Sequence, residues 1–536
     1  MSSQSGGQLT KHHLKKSFFD SEPCTRTGLL LLVFLQMLAT VNCGGEGNRP
    51  PNQLVVHRLT TGTVSQTTNP LVAEYTISPP AQATVAIEFG PDLAYGFQTS
   101  PQATSPAGGA VTILVAGMKQ NSVYHMRAVV DYGDGSRQVD SDHTFKTGPI
   151  PQERVPQAVV TTSSGSNPAP GVELLSLTAG NSNQLMALAL DPSGNVIWYY
   201  DFDPSLGIAQ PIKLLPNGHL LVLFYAGGFG GTLREIDLAG NIVRQFTYND
   251  LSQSLSNAGY DLPVVSMDHE VLLLPNGHLL LLVGTYRVFT DLPGYPGDTT
   301  VFGNAIVDLD PNNNAVWVWN AFDHLDVNRH PMNFPDWTHA NSLYYSVDDG
   351  SLLISLRHQS WVLKIDYRDG QGSGDVLWKL GYQGDFELGS GAPANWFYAQ
   401  HYANIVSPNT TGDLQLALFD NGDSRVLDSD GTTCGSSGAA PCYSRAAIFE
   451  VNETTRTANL AWADTTPYSF WGGVTQVLPN TDVFFDETAP EDNPTGARIM
   501  QVTQDQNPKV IWQLDINGQN SYRTIHLPSL YPGVEW

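Results

Sequence analysis

A repeated unit constrains this chain more than any other feature. From about Ala158 onward an apolar strand ending in an acidic or polar residue, a turn, and a strand carrying Trp or Phe recurs six times. The copies are LALDPSGNVIWYYD, REIDLAGNIVRQF, AIVDLDPNNNAVWVW, VLKIDYRDGQGSGDVLWKLG, AIFEVNETTRTANLAW and RIMQVTQDQNPKVIWQLD. Most are followed by a second hairpin such as IKLLPNGHLLVLF, EVLLLPNGHLLLLVG, ANSLYYSVDDGSLLISL or VTQVLPNTDVFF. A unit of this kind cannot bury its apolar face alone and must stack on its neighbours. Four strands per unit and six units predict a six-bladed β-propeller over residues 158–536. Trp198, Trp319, Trp378, Trp462 and Trp512 are expected to pack between blades. The PNGH segments are hairpin turns, which makes His219 and His278 strand-start residues at the surface.

Before the repeat, residues 55–149 break into short alternating strands with turn-rich spacers, the pattern of a small β-sandwich. The run NSVYHMRAVVDYGDGSRQVDSDHTFKTG resembles the closing strands of fibronectin type III domains. That likeness implies a fold and no chemistry. The fold class expected is therefore all-β: a propeller preceded by a fibronectin type III or Ig-like β-sandwich. With 50 glycines and 35 prolines, no stretch holds a helical apolar period for more than about three turns.

Residues 1–45 differ from the rest. Lys11, Lys15, Lys16 and Arg26 precede the apolar run 28–39, which suits the core of a signal segment and is too short to span a bilayer. Export to the periplasm or to a membrane-anchored lipoprotein state follows, with Cys43 placed where a lipid anchor would attach and Thr40 standing where such signals prefer Leu. Two of the four cysteines lie in this leader, leaving Cys434 and Cys442 in the body. In an oxidising compartment this pair is expected to form a disulfide closing a surface loop, with two free thiols as the alternative. No metal site is expected there, since no further ligands stand nearby. The formal charge of −25 excludes nucleic acid, which needs clustered Lys and Arg.

Four places break the repeat by putting His or Arg where a blade entrance should hold small or apolar residues: His269 in SMDHEV, His339 in DWTHANS, Arg357 and His358 in SLRHQS, and His401 in AQHYANI. Blade entrances meet at one mouth of a propeller channel. An arginine fork with imidazole donors matches a tetrahedral oxyanion group such as sulfate or phosphate. A neutral imidazole among them can attack the central atom and form a covalent intermediate.

The runs PDWTHANSL, SLRHQSWVLKID, AQHYANI, FDNGDSR, YSRAAIFEV and SYRTIHLPSLYP together resemble the bacterial aryl-sulfate sulfotransferase family. The resemblance covers the propeller. It implies an exported enzyme without a cofactor, independent of a nucleotide sulfate donor, moving a sulfuryl group between phenols by a ping-pong mechanism. It puts the sulfuryl carrier on His401, and the groups that grip sulfate and phenolic oxygens on His269, His339 and Arg357. Asn341 matches a substrate-binding polar position, and His358 stands beside Arg357 to bind substrate or orient its neighbour. The Cys434 and Cys442 pair is similar to a disulfide the family carries near its active site. The partners implied are phenolic sulfates and phenols, with a homodimer left open. Asp336 and Trp337 either close over the pocket or shape the turn before His339, and the Asp420-Asn421-Gly422 turn reads as structural.

Two other functions compete with transfer: hydrolysis of aryl sulfates through the same intermediate, and noncatalytic binding of glycans or proteins across the propeller rim. The histidine cluster speaks against the second. Metal-dependent hydrolysis is disfavoured because Arg357 would repel a cation beside three histidines.

Overall fold

The computed structural model describes residues 57–178, 183–407 and 412–536. The signal segment and Cys43 lie outside the described residues. Among the described residues no helix is long and apolar enough to cross a membrane.

The described chain is nearly all β and its sheets are mostly antiparallel. Six of them follow one another along the chain. The second is typical: strands Ile208–Leu214, Leu220–Tyr225, Thr232–Ile236 and Ile242–Thr247 pair in sequence order. The third and fourth sheets repeat the pattern from Val264–Leu273 and Ala340–Tyr345. The fifth and sixth repeat it from His401–Ser407 and Val474–Val477. The first sheet takes its edge strand, Ser521–Leu527, from the far end of the chain, paired with Val172–Leu177. In return Gln157–Thr162 pairs with Val510–Asn517 on the outside of the sixth sheet. The two ends of the repeat are thus sewn together by two strand exchanges. Edge strands of successive sheets also lie against one another: Val264–Leu273 on Ala340–Tyr345, that strand on His401–Ser407, and the last on Val474–Val477.

The repeat's tryptophans explain this order. Trp198, Trp319, Trp378, Trp462 and Trp512 are all buried. Each indole N–H donates across a sheet boundary, to Leu238 O, Gly374 O, the Glu453 carboxylate, Asp505 O and Pro192 O. A buried indole gains from its large apolar area only if its N–H finds a partner, and here the next sheet's turn supplies it. The boundary between the second and third sheets has Phe246 at the matching place. There the helix Tyr248–Ala258 fills the joint, its Ser254 bonded to Asn313 O and to the Ala315 amide. This helix spans three turns, within the limit set by the sequence pattern.

The PNGH segments are turns, with Gly218 and Gly277 at φ of 83° and 85°. Their histidines are half-buried: His219 and His278 reach Glu235 and Asp308 on the adjacent strand at 2.7 and 2.8 Å.

Residues 57–149 form two further sheets. One contains Thr63–Gln66, Ala73–Ile77 and Val111–Val115, and the other is built on Ala83–Gly90 and Val123–Tyr132. Val85, Ile87, Phe89, Met126 and Val130 fill the space between them. The chain's last residues dock here. The Tyr531 hydroxyl donates to Leu114 O and receives the Ala116 amide, and Trp536 donates to Gln98 O. Gly117 must lack a side chain, because a Cβ there would stand 2.3 Å from the Trp536 ring.

Candidate active site

The singled-out histidines sit where edge strands lose their regular pairing. Pairing shifts between Met267 and Val271, between Ala340 and Ser342, and between His401 and Asn404. A bulge turns a side chain away from the alternating pleat. His269 and His339 also take left-handed backbone, with φ of 61° and 45°. That region costs a non-glycine residue roughly 1–3 kcal/mol and persists where surrounding structure enforces it.

These distortions bring the six candidate residues together. The His269 and His339 rings stand 5.2 Å apart edge to face, and His339 lies 4.5 Å from the His358 ring. His358 accepts from Arg357 Nη1 at 2.7 Å. Arg357 donates through Nη2 to Asp423 and to the Phe470 carbonyl, both at 2.7 Å. Two residues beyond Phe470, the Gly472 amide reaches His401 Nε2 at 3.3 Å. The Tyr522 ring lies 6.2 Å from the His401 ring and 5.8 Å from the His269 ring, and Trp471 stacks on it. Asn341 is buried next to His401, its amide donating to Gln400 O at 2.7 Å.

Their environments differ. His401 is 3% exposed. Burial first, then the Arg357 charge, push its pKa well below the ordinary histidine value, against the bond from Asn421. His339 is depressed too, by burial, although its Nδ1 lies 2.7 Å from Asp336. His358 is pulled down to about 4 by burial and by His339. Both its nitrogens are occupied: Nδ1 donates to Asp336 O at 2.6 Å and Nε2 accepts from Arg357 and from Asn333. Asp268, 3.1 Å from His269, is raised by burial but lowered further by His269 and Ser266, so it stays below the usual carboxylate value. Burial lifts Asp423 to about 6 despite Arg357.

Among the buried polar atoms of the cluster without a hydrogen-bond partner are Arg357 Nε, Asn341 Oδ1, His269 Nδ1 and the Tyr522 hydroxyl. Buried donors and acceptors are nearly always satisfied, so such atoms converging on one place mark where another molecule completes them. Behind them an ion triad braces the site. Glu270 bonds Lys213 at 2.6 Å and Arg523 at 2.9 Å, and Arg523 donates to Asn341 O.

Several participants were not legible as such in the sequence. Asn421 was read as a structural turn, yet its Oδ1 lies 2.7 Å from His401 Nδ1. Its place in FDNGDSR beside Asp423 was the available signal. Tyr522 lies in SYRTIHLPSLYP, which carries the resemblance without marking this residue, and Trp471 and Gly472 lie in a run that looks like an ordinary turn. Trp337 shapes the turn before His339: it is buried, stacked 5.0 Å from Phe322 and bonded to Arg329 O. Asp336 engages His339.

The expected disulfide is present. Cys434 and Cys442 are bonded, and their segment closes the insert between Asp413–Asp420 and Ser444–Asn452 that carries Asn421 and Asp423. Asp336, His339 and His358 also lie close enough to surround a metal ion. Arg357 Nη1 is already on His358, however, and the Asp336 carbonyl on its other nitrogen.

The family model described as Arylsulfotransferase (ASST) matches residues 160–523. Arylsulfate sulfotransferase AssT of Escherichia coli O6:H1 (strain CFT073) is 25% identical over 354 residues, 54% of this chain and 54% of that protein. The chain thus matches about half the length of that curated relative. Among solved structures, a putative 6-phosphogluconolactonase from Bacteroides fragilis is 11% identical with a TM-score of 0.33, covering 83% of this chain and 98% of that one. A cobalt-substituted Synechocystis ACO is 13% identical with a TM-score of 0.30, covering 85% and 96%. Both are too distant to bear on fold or function.

Proposed function

This chain belongs to the arylsulfotransferase family, and from that premise we propose that it is an exported enzyme moving a sulfuryl group from a phenolic sulfate ester to another phenol through a covalent intermediate on His401. The observation that carries the proposal is the buried imidazole of His401, its pKa pushed well below the ordinary histidine value, in the field of the Arg357 guanidinium, whose buried Nε has no partner. A noncatalytic binding surface has no need of either.

In the first half-reaction His401 Nε2 attacks sulfur, and the bond from sulfur to the aryl oxygen breaks. Charge develops on the departing phenolate. His339 passes that oxygen a proton from Nε2 when its ring is protonated at both nitrogens, a form that the Asp336 contact at Nδ1 favours and burial opposes. Arg357 Nε and His269 donate to oxygens of the transferring group, where fixed donors need no reorganisation as charge shifts. In the second half-reaction an acceptor phenol gives its proton to His339 and takes the sulfuryl group from His401. Asn341 Oδ1 can only accept, so it suits a phenol hydroxyl rather than a sulfate oxygen. His358, with both nitrogens in use, is a positioning residue for Arg357.

We read the six sheets as blades of a propeller and the two N-terminal sheets as a fibronectin type III-like sandwich. The five indole bonds across sheet boundaries and the double strand exchange support the first reading.

The test is to incubate the protein with a chromogenic aryl sulfate, with and without added phenol and with no nucleotide. Phenol-dependent release is expected. Release independent of phenol would assign hydrolysis, and no release in either case would refute the proposal.

A further inference from the structure

We propose that Asn421 is a positioning residue that holds His401 in the tautomer with hydrogen on Nδ1, leaving the lone pair of Nε2 to attack sulfur. The consequence for catalysis rests on His401 being the carrier, but the tautomer itself does not.

The argument is one of hydrogen-bond accounting. Asn421 is fully buried. Its amide nitrogen donates to two carbonyl oxygens, Ser469 O at 2.8 Å and Gly472 O at 3.0 Å. Both amide hydrogens are then used, and the atom left to face His401 Nδ1 at 2.7 Å is Oδ1. An amide oxygen accepts and cannot donate, so the hydrogen belongs to His401 Nδ1. Turning the amide over would set Oδ1 against two carbonyl oxygens at once, which the network forbids. The backbone cannot shift to relieve this, because Ser444 Oγ donates to Asn421 O at 2.8 Å and also receives the Ser469 amide at 2.8 Å.

Fixing Nδ1–H leaves Nε2 as the ring's basic atom. Among the described residues its one hydrogen bond is the long one from the Gly472 amide, which opens when Nε2 attacks. The same Asn421 amide pins residues 469–472, whose Phe470 carbonyl receives Arg357. One side chain therefore sets the tautomer of the nucleophile and keeps it in register with the guanidinium.

The choice of amide over carboxylate matters as well. The charges that act most on His401 are those of Arg357, His339 and His269, all of which oppose its protonation, and the Tyr522 ring also faces it, 6.2 Å away. A carboxylate at 421 would oppose them and favour the imidazolium, which has no lone pair on Nε2.

The experiment is nitrogen NMR of protein labelled with ¹⁵N-histidine, with His401→Asn identifying the His401 signals, on wild type, Asn421→Ala and Asn421→Asp. Wild type should show hydrogen on Nδ1 and a bare Nε2 at neutral pH. Asn421→Ala should lose that single tautomer and drop kcat about a hundredfold, as misplacement of a reacting group does. Asn421→Asp should keep Nδ1–H, titrate at higher pH than wild type, and move the acid limb of its rate profile upward by the same amount. A purely structural role would lower activity without moving that limb. Hydrogen on Nε2 in wild type, an unchanged tautomer in the Ala variant, or an unmoved titration in the Asp variant would each overturn the proposal. If neither variant folds, the wild-type spectrum alone decides. If the tautomer stands but no phenol is released from aryl sulfates, the functional reading fails and the role of Asn421 in holding the ring does not.

Discussion

Arg357 Nη2 lies 2.7 Å from the Asp423 carboxylate and 2.7 Å from the Phe470 carbonyl, while Nη1 rests on His358. Three anchors therefore fix the guanidinium, and its buried Nε is left without a partner. Lysine cannot reproduce this, since it offers a compact charge in place of a planar fork. Arg357→Lys should lower kcat on the order of a hundredfold or more, the usual cost of losing a donor to developing charge. Steady-state turnover of a chromogenic aryl sulfate checks it, and near-normal turnover would make Arg357 structural.

The pH dependence of the first half-reaction follows from His401. Burial and Arg357 hold its pKa well below the ordinary histidine value, so the ring stays neutral and nucleophilic through pH 6.5 and gains its proton only well below that. Single-turnover phenol release from excess enzyme should thus show no loss attributable to His401 near pH 6.5. Asp423, lifted to about 6, gains its proton earlier, and that step should weaken one tether of Arg357. The prediction is that Asp423→Asn removes any inflection near pH 6 and leaves the limb at lower pH in place.

The insert that carries Asn421 and Asp423 is closed by the bond between Cys434 and Cys442, and Cys434 N donates to Arg425 O. Cross-linking so short a loop is worth about 2–3 kcal/mol by chain entropy. Cys434→Ser with Cys442→Ser should lower the melting temperature and slow turnover, because both Asn421 and Asp423 lose rigidity. Non-reducing mass spectrometry should find the two cysteines in one linked peptide pair, and free thiols at both would contradict the structure.

Glu487 is buried in strand Val483–Thr488, and burial raises its carboxyl to about 8, against the nearby Arg498. A carboxyl raised above its unfolded value gives stability that is whole at low pH and lost as pH rises from the ordinary glutamate value through the folded one. Glu487→Gln removes that loss. Its melting temperature should match wild type at pH 5 and exceed it at pH 9, as thermal scans at the two pH values would show.

The all-β class and the order of the sheets were legible because five of the six units repeat a visible physical demand, a large indole needing a neighbour, which Trp198, Trp319, Trp378, Trp462 and Trp512 meet across a sheet boundary. The sheet boundary without a tryptophan, at Phe246, gave no such signal, and its helix went unread. The candidate residues His269, His339, Arg357 and His401 stood out because charged or titratable groups interrupt apolar strand starts. What surrounds them did not. Asn421 lies in a DNG turn, where asparagine is expected for backbone reasons alone. The dependence of His358 on Arg357 arises from distances between neighbours that a linear pattern cannot express. Bulges at Met267, Ala340 and His401, which aim the site, are register shifts between strands and leave no mark in one strand read by itself.

The central claim is that His401 carries the sulfuryl group. Intact-mass and peptide-mass measurement after incubation with an aryl sulfate and no acceptor tests it most directly. A protein heavier by one sulfuryl group, with the label on His401 and discharged by added phenol, is the expected result, and His401→Asn should fold and stay unmodified. A label on His339 or His269, or turnover by His401→Asn, would contradict it.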